Sequence, residues 1–313
     1  MTQAPLRHVY GPVPSRRLGR SLGVDLVPYK VCTYDCVYCQ LGRTTEKTID
    51  RREYALVDEV AAELESRLSA GPTPDYIGLA GSGEPTLNSR IGELIARIKG
   101  MTEVPVAVLT NGSLLWMPEV RDALMEADLV LPSLDAGDGH LFGFVNRPHP
   151  GIGFQAMAEG LAEFIARFPR AVWLEVFLLA GVTGIDSEVR KIAALAERIG
   201  AKRVQLNTVS RPPCEEFAYA VPAAQMKAFA SLFRPPAEVI CPAEAATTTE
   251  DTRTATDGEI LALLRRRPCT AQSVATGLGL HVADAVKRLQ ALTEQGLVAP
   301  THRNGAVHYR AAA

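Results

Sequence analysis

The chain has 313 residues, enough for one large domain or for a large and a small one. With 47 % hydrophobic and 22 % charged residues and a formal net charge of -2, it reads as globular, and no global field recruits nucleic acid or an anionic membrane. No apolar run approaches the roughly 18 residues of a membrane span, and Met1–Tyr10 has neither the apolar core nor the cleavage site of a signal peptide. A cytoplasmic protein with no membrane partner is expected.

From about Gly23 to Arg234, strand-like runs alternate with amphipathic helical segments. Leu22–Leu26 reads as a strand and Val57–Ser69 as a helix, with Val57, Val60, Ala61, Leu64 and Leu68 spaced as a core-facing stripe. Strand and helix then follow as Tyr76–Ala80 and Ser89–Lys99, Pro105–Thr110 and Pro118–Ala127, and Leu129–Leu134 and Phe154–Phe168. Val172–Leu179 and Ser187–Ile199 come next, and Arg203–Val209 and Ala223–Phe233 complete the series. Strands apolar on both faces and separated by helices predict an α/β domain, a parallel barrel or open sheet, over 1–241. Its functional residues belong at the C-terminal ends of the strands.

Residues 242–256 are rich in Ala, Thr, Glu and Asp and read as a linker. Beyond it, 257–313 predicts a small domain. Its helices are Asp257–Arg267, Ala271–Gly277 and Val282–Gln295, and its strands are Leu297–Thr301 and Val307–Arg310, turned at Arg303-Asn304-Gly305. Three helices and a hairpin resemble a winged-helix α+β domain. The third helix sets His281, Asp284, Lys287, Arg288 and Gln290 against an apolar stripe of Val282, Ala285, Val286, Leu289 and Leu292. Asp284 and Glu294 dilute the charge, so packing or protein contact is the leading expectation for this tail, ahead of DNA or RNA binding.

Of six cysteines, three crowd into Cys32-Thr-Tyr-Asp-Cys36-Val-Tyr-Cys39. Three thiolates can ligate three irons of a [4Fe–4S] cube and leave the fourth open to a ligand, whereas electron-transfer clusters take four. A structural zinc site would need a fourth ligand that the neighbouring sequence does not offer. Cys214, Cys241 and Cys269 stand singly and read as small buried hydrophobes.

Further candidates punctuate the strand ends. Gly81-Ser82-Gly83-Glu84-Pro85 follows the second strand, Thr110-Asn111-Gly112 the third and Ser133-Leu134-Asp135-Ala136 the fourth. Tight turns and helix caps are the competing reading of such residues. Glu175 lies within an apolar strand, where a carboxylate needs a bonding partner, and Asn207 lies near the end of the sixth. Arg16, Arg17, Arg20 and Lys30 suit carboxylate or phosphate but read singly as a solvated basic face. His149 is a lone loop histidine.

The Cys-x3-Cys-x2-Cys spacing, with the aromatic Tyr38 before the third cysteine, resembles the radical S-adenosylmethionine (SAM) superfamily over roughly residues 10–241. The resemblance implies a partial (β/α)6 barrel, a [4Fe–4S] cluster on Cys32, Cys36 and Cys39, and SAM held around the strand ends. Gly83-Glu84-Pro85 matches the family's Gly-Gly-Glu-Pro stretch with Ser82 in place of a glycine; Glu84 would face the SAM ammonium. Thr110, Asn111, Ser133 and Asp135 would meet SAM or substrate, Glu175 the ribose, and Asn207 the adenine or substrate. An external one-electron reductant of flavodoxin or ferredoxin type is implied, with a small-molecule, RNA or protein substrate. Tyr10-Gly-Pro-Val-Pro-Ser-Arg-Arg-Leu-Gly19 and Gln205–Pro213 are similar to iron–sulfur oxidoreductases related to tRNA 4-demethylwyosine synthases. Those synthases carry extra cysteines for a second cluster, and this chain has none before Cys32, so one cluster is expected and the wyosine substrate is not carried over. A redox-sensing nucleic-acid regulator and a tRNA-modifying enzyme of wyosine type are the alternatives.

Overall fold

The computed structural model describes residues 8–240, 255–303 and 305–312. Cys241 and most of the expected linker, 242–254, lie outside them. The chain enters through a hairpin in which β1 (Val9–Ser15) runs antiparallel to β2 (Gly19–Val24). Two short strands, β3 (Val31–Cys32) and β4 (Glu46–Lys47), pair in parallel across the base of the cysteine loop. There follow α1 (Val57–Ala70), β5 (Tyr76–Leu79), α2 (Ile91–Met101), β6 (Val106–Leu109), α3 (Pro118–Ala123), β7 (Leu129–Leu131), α4 (Gly139–Val145) and α5 (Phe154–Arg167). The domain is completed by β8 (Ala171–Val172), β9 (Leu174–Leu178), α6 (Asp186–Arg198), β10 (Val204–Thr208), α7 (Ala223–Ala230) and β11 (Glu238–Val239).

One sheet has the order β1-β2-β5-β6-β7-β8 and a second β11-β10-β9; apart from β1 every neighbouring pair is parallel. The sheets join where Leu134 N donates to Glu175 O at 2.8 Å and Glu175 N to Pro132 O at 2.9 Å. The strands β2-β5-β6-β7-β9-β10 thus curve into a partial parallel barrel, as the α/β alternation predicts, because each parallel return needs a covering helix. On α1 the stripe packs as expected: Val57, Val60, Ala61 and Leu64 are buried against the barrel core and Leu68 is partly buried. Burial of each such Val or Leu is worth about 1.5–3 kcal/mol.

Four details depart from the pattern. The predicted strand Val172–Leu179 breaks at Trp173, with β8 staying beside β7 and β9 opening the second sheet. The helix predicted to Ala127 ends at Ala123. Gly139–Val145 forms a helix capped by Asp138, whose side chain accepts from Leu141 N, in a stretch predicted to be loop. Strand β1 carries Gly11, Pro12 and Pro14, residues that argue against a strand; it is tolerated because it lies at the sheet edge.

The tail comprises α8 (Asp257–Arg266), α9 (Ala271–Leu278), α10 (Val282–Glu294) and the antiparallel pair β12 (Val298–Arg303) and β13 (Ala306–Ala311). Its core gathers Ile260, Leu263, Leu264, Val274, Leu289 and Leu292, and Val13 of β1 is buried in that same core. The Arg266 guanidinium lies 4.4 Å from the Tyr10 ring centroid and 3.8 Å from the Asp25 carboxylate. Arg310 donates to the Tyr29 hydroxyl at 3.1 Å. The tail is therefore seated on the entry hairpin, at the edge of the sheet that no barrel strand closes. Of the polar face of α10, His281 caps the helix through Ala283 N, Arg288 is bound to Asp257 and the Ala255 carbonyl, and Gln290 donates to Glu294.

Candidate functional site

The three clustered cysteines lie on the segment that leaves the C-terminal end of β2, and all three are free and partly buried. The loop is held by backbone bonds from Val37 N to Val145 O at 2.9 Å and from Cys39 N to Cys36 O at 3.1 Å. One nitrogen donor meets each sulfur. Lys30 Nζ lies 3.2 Å from Cys39 Sγ, Asn111 Nδ2 3.6 Å from Cys32 Sγ, and Asn146 Nδ2 3.6 Å from Cys36 Sγ. These donors come from three separate segments, after β2, β6 and α4. Among the described residues, Lys30 and Arg147, the residue after Asn146, are the two non-glycine residues with positive φ, at 60° and 46°. Such backbone is seldom adopted without a compensating contact.

Burial pushes the Cys32 thiol up to about 12, with the Glu84 carboxylate adding to the rise, and pushes Cys36 well above the ordinary thiol range. Burial alone would lower the Lys30 ammonium; the sulfurs of Cys39, Cys32 and Cys36 together oppose it, and the net shift is upward. Lys30 is 3 % exposed, so the solvated basic face expected of it does not exist. Among the described residues no three His, Cys, Asp or Glu side chains close around a single metal ion. Thiolates that each ligate a different iron stand farther apart than ligands sharing one ion. Three partly buried sulfurs, each with an N–H donor, fit a polynuclear cationic centre, because metal charge offsets the cost of burying thiolates.

The turn after β5 is clamped to this loop. Lys30 N donates to Ser82 O at 2.7 Å and Glu84 N to Val31 O at 3.2 Å. A Cβ on Gly83 would lie 1.8 Å from the Val31 carbonyl oxygen, so only glycine lets the two backbones approach. Ser82 gives both its N–H, at 3.0 Å, and its hydroxyl, at 2.5 Å, to the buried Asp25 carboxylate. Glu84 is 1 % exposed and accepts from Thr86 N, Thr86 Oγ1, Thr110 Oγ1 and Asn111 N at 2.6–3.1 Å. Burial raises its pKa while those four bonds oppose the rise. Glu84 thus ties the β5 turn to the end of β6, which brings Thr110 and Asn111 beside the cysteines.

Asp135, 3 % exposed, is a second anchor. It accepts from the Tyr38 hydroxyl at 2.5 Å, Asn146 Nδ2 at 2.8 Å and Phe177 N at 3.0 Å. Tyr38 stacks on Phe177 with centroids 4.1 Å apart. Ser133 bridges Glu175 between the sheets. The bonding partner that a half-buried Glu175 needs is Arg17, from the tip of the entry hairpin; a ribose diol there would share or displace that ion pair. Asn207 is buried on β10 and accepts from Thr208 N.

Arg20 stays exposed, its guanidinium on the Thr73 carbonyl, and His149 turns its Nδ1 to Gly151 N, the structural role expected of a lone loop histidine. Cys269 is buried as expected; Cys214 is only partly buried, which corrects that reading. The sequence reading passed over Asp25, Asn146 and Arg211. Asp25 had one signal, a carboxylate at the end of an apolar strand; Asn146 had none, since the helix that presents it was not foreseen.

The model of the Radical SAM superfamily matches residues 26–196, more than half of the chain. The chain belongs to the radical SAM superfamily. A Helicobacter pylori (strain 26695) UPF0026 protein is 35% identical over 288 residues, 91% of each chain. A Brachyspira hyodysenteriae protein named GTPase Obg is 38% identical over 305 residues, which are 97% of this chain but 45% of that protein. This radical SAM chain therefore spans less than half of that relative's length. Two solved structures share the fold, each with a TM-score of 0.52. A radical SAM methyltransferase from Sphaerobacter thermophilus is 19% identical, covering 70% of this chain and 66% of its own. Native anSMEcpe with bound AdoMet is 17% identical, covering 69% and 59%. Radical SAM membership implies an iron–sulfur cluster and SAM. No described helix is long and apolar enough to cross a membrane.

Proposed function

We propose that the chain is a radical SAM enzyme that holds one [4Fe–4S] cluster on Cys32, Cys36 and Cys39 and cleaves SAM reductively. The observation that carries this reading is the convergence of three partly buried cysteines, each with its own N–H donor, beside the clamped Gly81–Pro85 turn. When bound, the cluster and SAM supply one-electron cleavage of a C–S bond, giving methionine and a 5′-deoxyadenosyl radical that takes a hydrogen atom from substrate. The chain's residues hold and shield these groups. Lys30, Asn111 and Asn146 donate to the sulfurs, and such donors raise the reduction potential of a cluster. Glu84 fixes the turn that would face the SAM amino group and keeps Thr110 and Asn111 in register with it. Asp135 holds Tyr38 and Asn146 over the cysteine loop. An external reductant of flavodoxin or ferredoxin type supplies the electron. The tail serves as a packing element of the barrel rather than as a nucleic-acid reader, because His281 and Arg288 are spent on its own structure.

Anaerobic reconstitution tests this. About four irons per chain, and 5′-deoxyadenosine on addition of SAM and dithionite, are expected. About eight irons would reveal a second cluster; two irons, or zinc, would remove the assignment.

A further inference from the structure

Ser82 is where the turn after β5 departs from the Gly-Gly-Glu-Pro stretch, and the structure gives that serine a bond a glycine could not make. Its hydroxyl donates to the Asp25 carboxylate at 2.5 Å, while its N–H donates to the same carboxylate at 3.0 Å. With glycine in its place only the second bond would remain. Asp25 also presses on Gly81, where a Cβ would lie 2.4 Å from the carboxylate carbon. One buried side chain thus backs two consecutive residues of the turn, which the cysteine loop holds separately through Lys30 N and the Val31 carbonyl.

Asp25 in turn faces the tail. The Arg266 guanidinium stands 3.8 Å from the carboxylate, and each side chain is only 10% exposed. Arg266 is fixed there: its Nη1 donates to Ala262 O of its own helix at 3.1 Å, and its guanidinium lies 4.4 Å over the Tyr10 ring. Tyr10 ends beside the same turn, since its hydroxyl donates at 3.3 Å to the carbonyl of Ala80, the residue before Gly81. A Cβ on Gly23 would come within 2.2 Å of this ring, so the ring packs directly on the β2 backbone. Two routes therefore lead from one tail arginine to the turn, through Asp25 to Ser82 and through Tyr10 to Ala80. A carboxylate out of water holds its hydrogen bonds best when it is ionised and faced by a cation. Deprived of Arg266 it would take up a proton or admit water, and either change loosens its hold on the Ser82 N–H and hydroxyl.

We propose that Arg266 and Asp25 are positioning residues of the SAM site. Acting through the Ser82 hydroxyl, they set the turn that would face the SAM amino group, so that the affinity for SAM depends on the seating of the tail. This rests on the radical SAM reading and adds to it a residue from outside the barrel.

The test has two arms. In the cluster-free full chain, amide exchange over residues 81–85 reads the turn itself. Arg266→Gln should speed exchange at Ser82 by about tenfold, whereas Arg265→Gln, on an exposed neighbour in the same helix, should leave it at the parent rate. In the reconstituted chain, equilibrium dialysis with labelled SAM and no reductant reads affinity. Arg266→Gln should weaken SAM binding by about tenfold at unchanged iron content, and Arg266→Lys, which keeps the charge, should recover most of the loss. In turnover the loss should fall on the KM for SAM and spare kcat, because Arg266 touches no reacting atom. Ser82→Gly cuts the link and should shrink the cost of Arg266→Gln to about threefold or less; a general weakening of the fold would cost the same in both backgrounds. If Arg266→Gln exchanges and binds as the parent does, or costs the same with and without the Ser82 hydroxyl, the proposal is overturned. A parent chain that binds SAM while Arg266→Gln changes nothing loses only this inference. A parent chain that takes up no iron and binds no SAM, with the exchange difference intact, keeps Arg266 and Asp25 as positioning residues of the turn and loses the radical SAM reading.

Discussion

The barrel and the tail are built on opposite plans. Every tail helix starts on a side-chain cap: Thr256 on α8, as a full capping box, Thr270 on α9 and His281 on α10. Of the seven barrel helices only α4 has such a cap. Buried polar groups are distributed the other way. Asp25, Thr33, Ser82, Glu84, Thr110, Ser113 and Asp135 are all buried at the cysteine end of the barrel, while the tail buries only His308 among its described polar residues. Tail helices are specified locally, by residues that satisfy their own first turn. Barrel helices are specified by the sheet they cover, and many of the barrel's buried polar residues gather at the cysteine end. Burying polar groups costs stability unless each is bonded, so their concentration in one region marks where function is placed.

The contrast can be broken at its tightest point. Gly83→Ala sets a Cβ 1.8 Å from the Val31 carbonyl oxygen and must separate the β5 turn from the strand that carries Cys32. A loss of about 3 kcal/mol or more is expected, together with loss of iron uptake. Denaturant unfolding and iron content after reconstitution measure both, and full iron uptake in the variant would show that the clamp is dispensable.

Next in size is removal of the tail. Local capping alone would make it a separable module, but Val13 lies in its core and Arg266 faces Asp25. A chain ending at residue 254 should lose about 2–5 kcal/mol and tend to aggregate. An unchanged melting temperature would restore the separable-module reading.

Asp25 tests the polar end by pH. Burial raises its carboxyl above the ordinary 3.8, although Ser82 and Arg266 oppose the rise. Between 3.8 and the raised folded value the unfolded chain releases this proton first, so stability falls as pH rises through that window. The slope is at most about 1.4 kcal/mol per pH unit. Asp25→Asn should flatten the descent in a series of melts from pH 4 upward; an unaltered slope would mean that Asp25 titrates as in the unfolded chain.

The smallest effects compare helix starts directly. Thr256→Ala should cost about 1 kcal/mol by breaking the capping box. Leu56, half exposed at the uncapped start of α1, offers the converse: Leu56→Ser should gain a few tenths of a kcal/mol. Equal and negligible shifts in the two variants would show that capping does not distinguish the regions.

The sequence by itself determined the βα alternation, the stripe on α1, the tail's three helices and hairpin, and the cysteine motif with its Gly81–Pro85 partner. These are local patterns: periodicity, caps, turn residues and ligand spacing are written in consecutive residues. Tertiary structure decided what those patterns leave open. The break at Trp173 follows from two sheets meeting there, and β1 exists as a strand because an edge tolerates its prolines. Lys30, read as solvated, is buried on Cys39; Arg17 answers Glu175; Asn146 reaches Cys36 from a helix the sequence did not announce; and Arg211 reaches Gln40 beside the cysteine loop. Each of these depends on which distant segment supplies the opposite charge, the donor or the cover. Partners so far apart leave no common period in the sequence, and only the closed barrel with its seated tail brings them within reach.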